Sequence, residues 1–165
     1  MVNRKFGVDI GGVLIGREND GTDTSFFGPN YLLTTQVPQA FESIKKLREA
    51  DFDVYLVSKC GASTEKKTLD WLEHHNFYDL TNVDRNRVRF CRQRAEKAGI
   101  CDEIGVTHFI DDRLEVLSYL VNVEHLFLIN ADAKEVRRYQ HFLPKVNMVR
   151  TWPEVLDLAL AALVS

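Results

Sequence analysis

Asp9 stands near the end of the apolar run Phe6-Gly-Val-Asp-Ile, Ser58-Lys59 closes Val54-Tyr-Leu-Val-Ser, and Asp111-Asp112 closes Thr107-His-Phe-Ile-Asp. Each run has the length and composition of a buried strand. In an open α/β sheet, ligands bind beyond the carboxyl ends of the strands, so this spacing gathers three acids, a hydroxyl and a lysine at one edge. Isolated carboxylates repel one another there. A hard cation with oxygen ligands is the simplest way to keep them ionised together, and magnesium commonly takes one or two carboxylates, phosphate oxygens and water.

These elements predict a sheet. His125-Leu-Phe-Leu-Ile-Asn repeats the buried form, so four strands are expected. Between the runs, Val37, Ala40, Phe41, Ile44 and Leu47 follow helical spacing, with Pro38 in a first turn. Leu114, Leu117, Leu120 and Val121 do the same after Asp112, and Leu156, Leu160 and Leu163 follow Trp152-Pro153-Glu154 as a last packing helix. Alternating strand and helix predicts a doubly wound α/β fold, a three-layer sandwich around a central parallel sheet. Residues 1–165 read as a single domain. The polar stretch Arg17 to Asn30, with Asn19-Asp20-Gly21 as a turn signal and Gly28-Pro29 at its end, interrupts the alternation and predicts a small flap after strand one, over about residues 16–37.

This arrangement resembles the haloacid dehalogenase superfamily, whose phosphatase members carry an aspartate nucleophile after strand one, a Ser/Thr after strand two and a basic residue upstream of an acidic pair. The matching residues are Asp9 in Val8-Asp-Ile-Gly-Gly-Val, Ser58, Lys97 in Ala95-Glu-Lys-Ala-Gly, and the pair in Phe109-Ile-Asp-Asp-Arg. The resemblance spans most of the chain, and the short length implies a member with no large cap domain. It implies a magnesium-dependent phosphomonoester hydrolase in which Asp9 forms an aspartyl-phosphate. Ser58 would hydrogen-bond a phosphoryl oxygen, Lys97 would offset the charge of nucleophile and phosphate, and Asp111 with Asp112 would hold the metal directly or through water.

One departure bears on turnover. Members usually place a second aspartate two residues after the nucleophile to protonate the leaving group and then activate water, and this chain has Gly11 there. The Gly11 carbonyl can still serve the metal, but the proton-transfer role has no side chain. General acid-base catalysis is typically worth about 10²- to 10⁴-fold. A slow enzyme, a substitute acid among Glu18, Asp20 and Asp23, or a weakened relative that binds a phosphorylated ligand or partner are the alternatives. Gly7-Val-Asp-Ile-Gly-Gly-Val also resembles the first phosphate loop of actin-like sugar kinases, but 165 residues do not supply their second domain.

Bland readings accompany these. Asp112 with Glu115 has the spacing of a helix capping box, and Lys97 near Arg92 and Arg94 could lie on a solvated helix face. The arginines from Arg85 to Arg94 form a local basic stretch that could meet a phosphorylated or nucleic-acid substrate, although a formal net charge of -3 leaves no global basic field. Without a large cap, the pocket could admit bulky substrates, or a second copy of the chain could cover it. The odd cysteines Cys60, Cys91 and Cys101 lack metal spacing and fit reduced thiols in a cytoplasm. No apolar stretch is long enough to span a membrane.

Overall fold

Strand β1 (Lys5–Val8) lies inside the sheet because both of its faces are covered. In the computed structural model, which describes residues 3–17, 26 and 28–163, it pairs in parallel with β2 (Asp53–Lys59) on one side and β4 (His108–Asp111) on the other. β3 (Val88–Cys91) extends the sheet beyond β2, and β5 (His125–Ile129) and β6 (Asn147–Val149) extend it beyond β4. The order β3-β2-β1-β4-β5-β6 is all-parallel. Strand order reverses between β1 and β4, which opens a crevice at their carboxyl ends.

The period of two decides what each face buries. Val54 and Leu56 join Phe6, Val8, Phe41, Trp71 and Trp152 on one side, packed with α1 (Ala40–Glu49), α2 (Ala62–His74), α3 (Phe77–Thr81) and α7 (Trp152–Ala161). Tyr55 and Val57 join Phe109, Leu114, Leu117 and Leu128 on the other, with α4 (Glu96–Ile104), α5 (Leu114–Tyr119) and α6 (Ala133–Arg138). Gly7 leaves room for the Phe109 ring, with which a β-carbon there would collide.

Several expectations need correction. Six strands form rather than four. β3 escapes an apolar reading because Arg89 alternates with Val88 and Phe90 on an edge strand, and β6 has only three residues, of which Asn147 and Met148 are exposed. Pro38 precedes α1, whose flanking residue Gln39 has a φ of 67°. Val121 lies beyond α5 and is 75% exposed. Asp112 does not cap α5; the flanking residue is Arg113, and the Glu135 carboxylate accepts from Leu114 N at 2.8 Å and Glu115 N at 2.7 Å.

The base of the expected flap is an antiparallel pairing. Ile15 bridges Gln36, Gly16 N donates to Thr35 O at 2.8 Å, and Val37 N donates to Leu14 O at 2.8 Å. Its returning arm is fastened to α2, where Trp71 Nε1 donates to Thr34 O at 2.9 Å and His75 Nε2 lies 2.7 Å from Leu32 O. Residues 18–25 and 27, and with them Glu18, Asp20, Asp23, Phe27 and the Asn19-Asp20-Gly21 turn, lie outside the described residues. No helix among the described residues is long and apolar enough to cross a membrane.

Candidate functional site

β1 delivers Asp9 to the crevice one residue beyond its own end, and Asp9 N donates to Ile110 O at 3.0 Å, so the β1–β4 pairing continues to Asp9. The chain then turns back sharply. Gly12 N donates to Ile15 O at 2.8 Å, and Leu14 N and Ile15 N both donate to Ile10 O. Gly12 has a φ of 79°, a left-handed conformation that L side chains rarely adopt, and a β-carbon there would collide with Asp112 Oδ2. The loop is held from two other elements, by Asn130 Nδ2 donating to Gly12 O at 3.0 Å and Trp152 Nε1 donating to Val13 O at 2.8 Å.

Lys97 rises from α4 into the same crevice. It is 2% exposed, and its Nζ donates to Asp9 Oδ1 at 2.9 Å and to Asp111 Oδ2 at 2.9 Å. This overturns the solvated-face reading, because a buried ammonium is tolerated only where carboxylates compensate its lost hydration. Arg113 N donates to Asp111 Oδ1 at 3.0 Å, which leaves Asp111 bonded through both oxygens. Asp112 Oδ2 meets Arg17 Nη2 at 3.2 Å. Ser58, also buried, is the last but one residue of β2, and the cavity that these residues line measures about 580 Å³. All six residues proposed from sequence, Asp9, Gly11, Ser58, Lys97, Asp111 and Asp112, line it.

Three carboxylates crowd one part of this cavity. Burial raises the Asp111 carboxyl above the usual range, and Asp9 pushes it further against the pull of Lys97. Asp112 is raised by burial, then by Asp9 and Asp111, with Arg17 opposing. Burial alone would lower the Lys97 ammonium, yet Asp111 and Asp9 together raise it. Oxygens of Asp9, Asp111 and Asp112 all lie within 4.8 Å of one another. The donor set therefore suits a hard divalent cation, which would offset the repulsion among these three carboxylates.

Three participants escaped sequence reasoning. Arg17 was assigned to the flap, and only the turn at Gly12 brings it to Asp112. Asn130 reaches the loop through a φ of 53° at the end of β5. Gly12 itself matters for the close approach of Asp112. Cys60 also lines the cavity and shares a hydrogen bond with Ser58, but burial raises its thiol, which argues against a thiolate nucleophile. Cys60, Cys91 and Cys101 are all free.

The basic stretch is β3 and its flanks, and its guanidinium groups have protein partners. Arg85 grips Glu73 at 2.6 and 2.9 Å, Arg87 meets Asp53 at 3.0 Å, Arg92 meets Glu65 at 3.0 Å, and Arg94 meets Glu115 at 3.5 Å. Arg89 donates to the carbonyls of Asn86 and Val88.

No family model and no curated protein matches the chain. Solved structures do. D,D-heptose 1,7-bisphosphate phosphatase from B. bronchiseptica, complexed with magnesium and phosphate, superposes with a TM-score of 0.66 at 13% identity, over 96% of this chain and 99% of that one. The fold is that of the haloacid dehalogenase-like phosphatases. A haloacid dehalogenase-like hydrolase from Burkholderia xenovorans LB400 gives 0.66 at 11% identity, over 99% of each chain. The 3-deoxy-D-manno-octulosonate 8-phosphate phosphatase from Moraxella catarrhalis, in complex with magnesium ion, phosphate ion and KDO, gives 0.56 at 13% identity, over 97% of this chain and 87% of that one.

Proposed function

We propose that the chain is a magnesium-dependent phosphomonoester hydrolase that works through an aspartyl-phosphate on Asp9. The observation that carries this reading is the buried bridge from Asp9 through Lys97 to Asp111, with 2.9 Å on each side, at the carboxyl edge of a sheet whose fold is shared with phosphatases. Asp9, Asp111 and Asp112, with the Gly11 carbonyl, would hold the cation. When bound, it supplies electrophilic stabilisation to the phosphoryl oxygens.

The chain's own residues do the rest. Lys97 occupies Asp9 Oδ1, so Oδ2 is the oxygen that attacks phosphorus while the bond to the ester oxygen breaks and its electrons leave with that oxygen. Ser58 donates to a phosphoryl oxygen, and Lys97 compensates the charge gathered between Asp9 and the phosphate. Water then attacks phosphorus and releases the Asp9 carboxylate together with inorganic phosphate. Gly11 itself supplies neither an acid for the leaving oxygen nor a base for hydrolysis of the aspartyl-phosphate, so the proton comes from solvent or from one of Glu18, Asp20 and Asp23, which lie outside the described residues.

That same Gly11 favours a second reading, a protein that binds a phosphorylated ligand with little turnover. Both readings are tested by titrating the protein with beryllium fluoride, which mimics a phosphoryl group on aspartate. Magnesium-dependent binding that Asp9→Asn abolishes is expected. No binding by well-folded protein would refute the phosphoryl site, and binding without turnover of any ester would leave the binding-protein reading.

A further inference from the structure

A second cavity of about 580 Å³ opens on the far side of the Arg17–Asp112 pair, and the two cavities share Gly12, Gly16, Arg17 and Asp112. Its outer wall is mixed, with Val37, Pro38 and Trp152 beside Gln36 from the flap base, Asn130 after β5, and Arg150 and Thr151 between β6 and α7. It lies along the same carboxyl edge, where loops from successive strands converge. Arg17, 57% exposed, stands where the two spaces meet.

Arg150 differs from the arginines of the β3 region. Its backbone N donates to Glu154 Oε2 at 3.1 Å, but its guanidinium has no partner among the described residues, whereas Arg85, Arg87, Arg92 and Arg94 are each paired with a carboxylate. An exposed, unspent guanidinium on the wall of a cavity offers a fork of donors that matches a carboxylate or a phosphate. The cavity is also of a size that takes a small metabolite. Resting on the phosphoryl-transfer reading, we infer that this second cavity receives the leaving-group half of the substrate, and that Arg150 binds a second anionic group carried there. The substrate class is thus a small phosphomonoester bearing a further carboxylate or phosphate. Arg17, between the two spaces, would face the ester oxygen side of such a ligand while still restraining Asp112.

The test is calorimetric binding to the full chain, in magnesium, of inorganic phosphate, glycerol 3-phosphate, 3-phosphoglycerate and fructose 1,6-bisphosphate. A charge-assisted hydrogen bond to an exposed guanidinium should make the phosphocarboxylate or the bisphosphate about tenfold tighter than glycerol 3-phosphate. Whichever of the two gains identifies the anion. Arg150→Gln should bring that affinity ratio close to one with an unchanged melting temperature, since the side chain is exposed and supports no packing. Equal affinities in the wild type, or an advantage that survives Arg150→Gln, would overturn the subsite and leave the phosphoryl site standing. If none of the four ligands binds, inorganic phosphate included, the phosphoryl site falls and the subsite with it.

Discussion

Replacing Lys97 with Met tests the charge balance of the cavity directly. The thioether nearly matches the aliphatic stem in volume, so the change removes chiefly an ammonium that is 2.9 Å from each of two buried carboxylates. Breaking a buried pair by deleting one partner typically costs about 3–5 kcal/mol, because the remaining charge is left uncompensated. Here the remaining groups can relieve the strain by taking up a proton. Asp111 is already raised by burial and by Asp9, and it rises further without Lys97. A carboxyl raised in the folded state binds more protons folded than unfolded, so stability is lost as pH rises through the window between its unfolded and folded values. The variant, stripped of divalent cations with EDTA, should therefore unfold about 3–5 kcal/mol more easily than wild type at pH 8. It should recover about 1.4 kcal/mol for each pH unit lowered while one carboxyl titrates. Urea unfolding at pH 5, 6, 7 and 8 measures this. Arg94→Met is the control, since its 3.5 Å pair with Glu115 is partly exposed and should be worth at most about 1 kcal/mol at any pH. A Lys97→Met loss as small as the control's, or one of the same size at every pH, would refute the reasoning.

Gly11→Asp should raise turnover of alkyl phosphates by up to the roughly 10²- to 10⁴-fold scale of acid-base catalysis, and raise p-nitrophenyl phosphate cleavage far less, in parallel steady-state assays. Gly11 does not need a positive φ, and the nearest atom to an added β-carbon is Arg17 Nη2 at 3.9 Å, so the side chain fits. Magnesium should raise the melting temperature by mass action, and Asp111→Asn with Asp112→Asn should abolish the rise; an undiminished response would remove the metal site. Far from the cavity, burial and then His125 lower the His108 imidazole to about 4, and its Nε2 lacks a hydrogen-bond partner among the described residues. The unfolded chain binds that proton first, so stability should fall as pH drops from about 6.5 toward 4, and His108→Phe, which preserves stacking with Phe6 and His125, should flatten that part of the unfolding curve.

The interior strands and the acids at their ends were legible because a buried strand writes itself as an unbroken apolar run, and a lone Asp in such a run demands an explanation. Asp9 and Asp111 meet only because β1 and β4 are neighbours, which alternation of strand and helix predicts in outline and strand order decides. The edge strands were not legible. β3 must leave one face to solvent, so Arg89 disguises it as part of a charged stretch, and β6 is too short to set a period. Arg17 and Glu135 act across 95 and 21 residues of sequence, respectively, through tertiary contacts that no local pattern encodes. Their roles depend on the left-handed turn at Gly12 and on the packing of α6 beside α5.

The central claim is that Asp9 is phosphorylated during turnover. Under the proposed mechanism Gly11 supplies no base to the second chemical step, so the aspartyl-phosphate should accumulate where Glu18, Asp20 and Asp23 do not take over that role. Mixing the magnesium-loaded protein with p-nitrophenyl phosphate, quenching in acid and mapping the peptides by mass spectrometry should find one phosphoryl group on the peptide that contains Asp9, and none in Asp9→Asn. Turnover without a phosphoryl group at Asp9, or with one on another residue, would contradict the account.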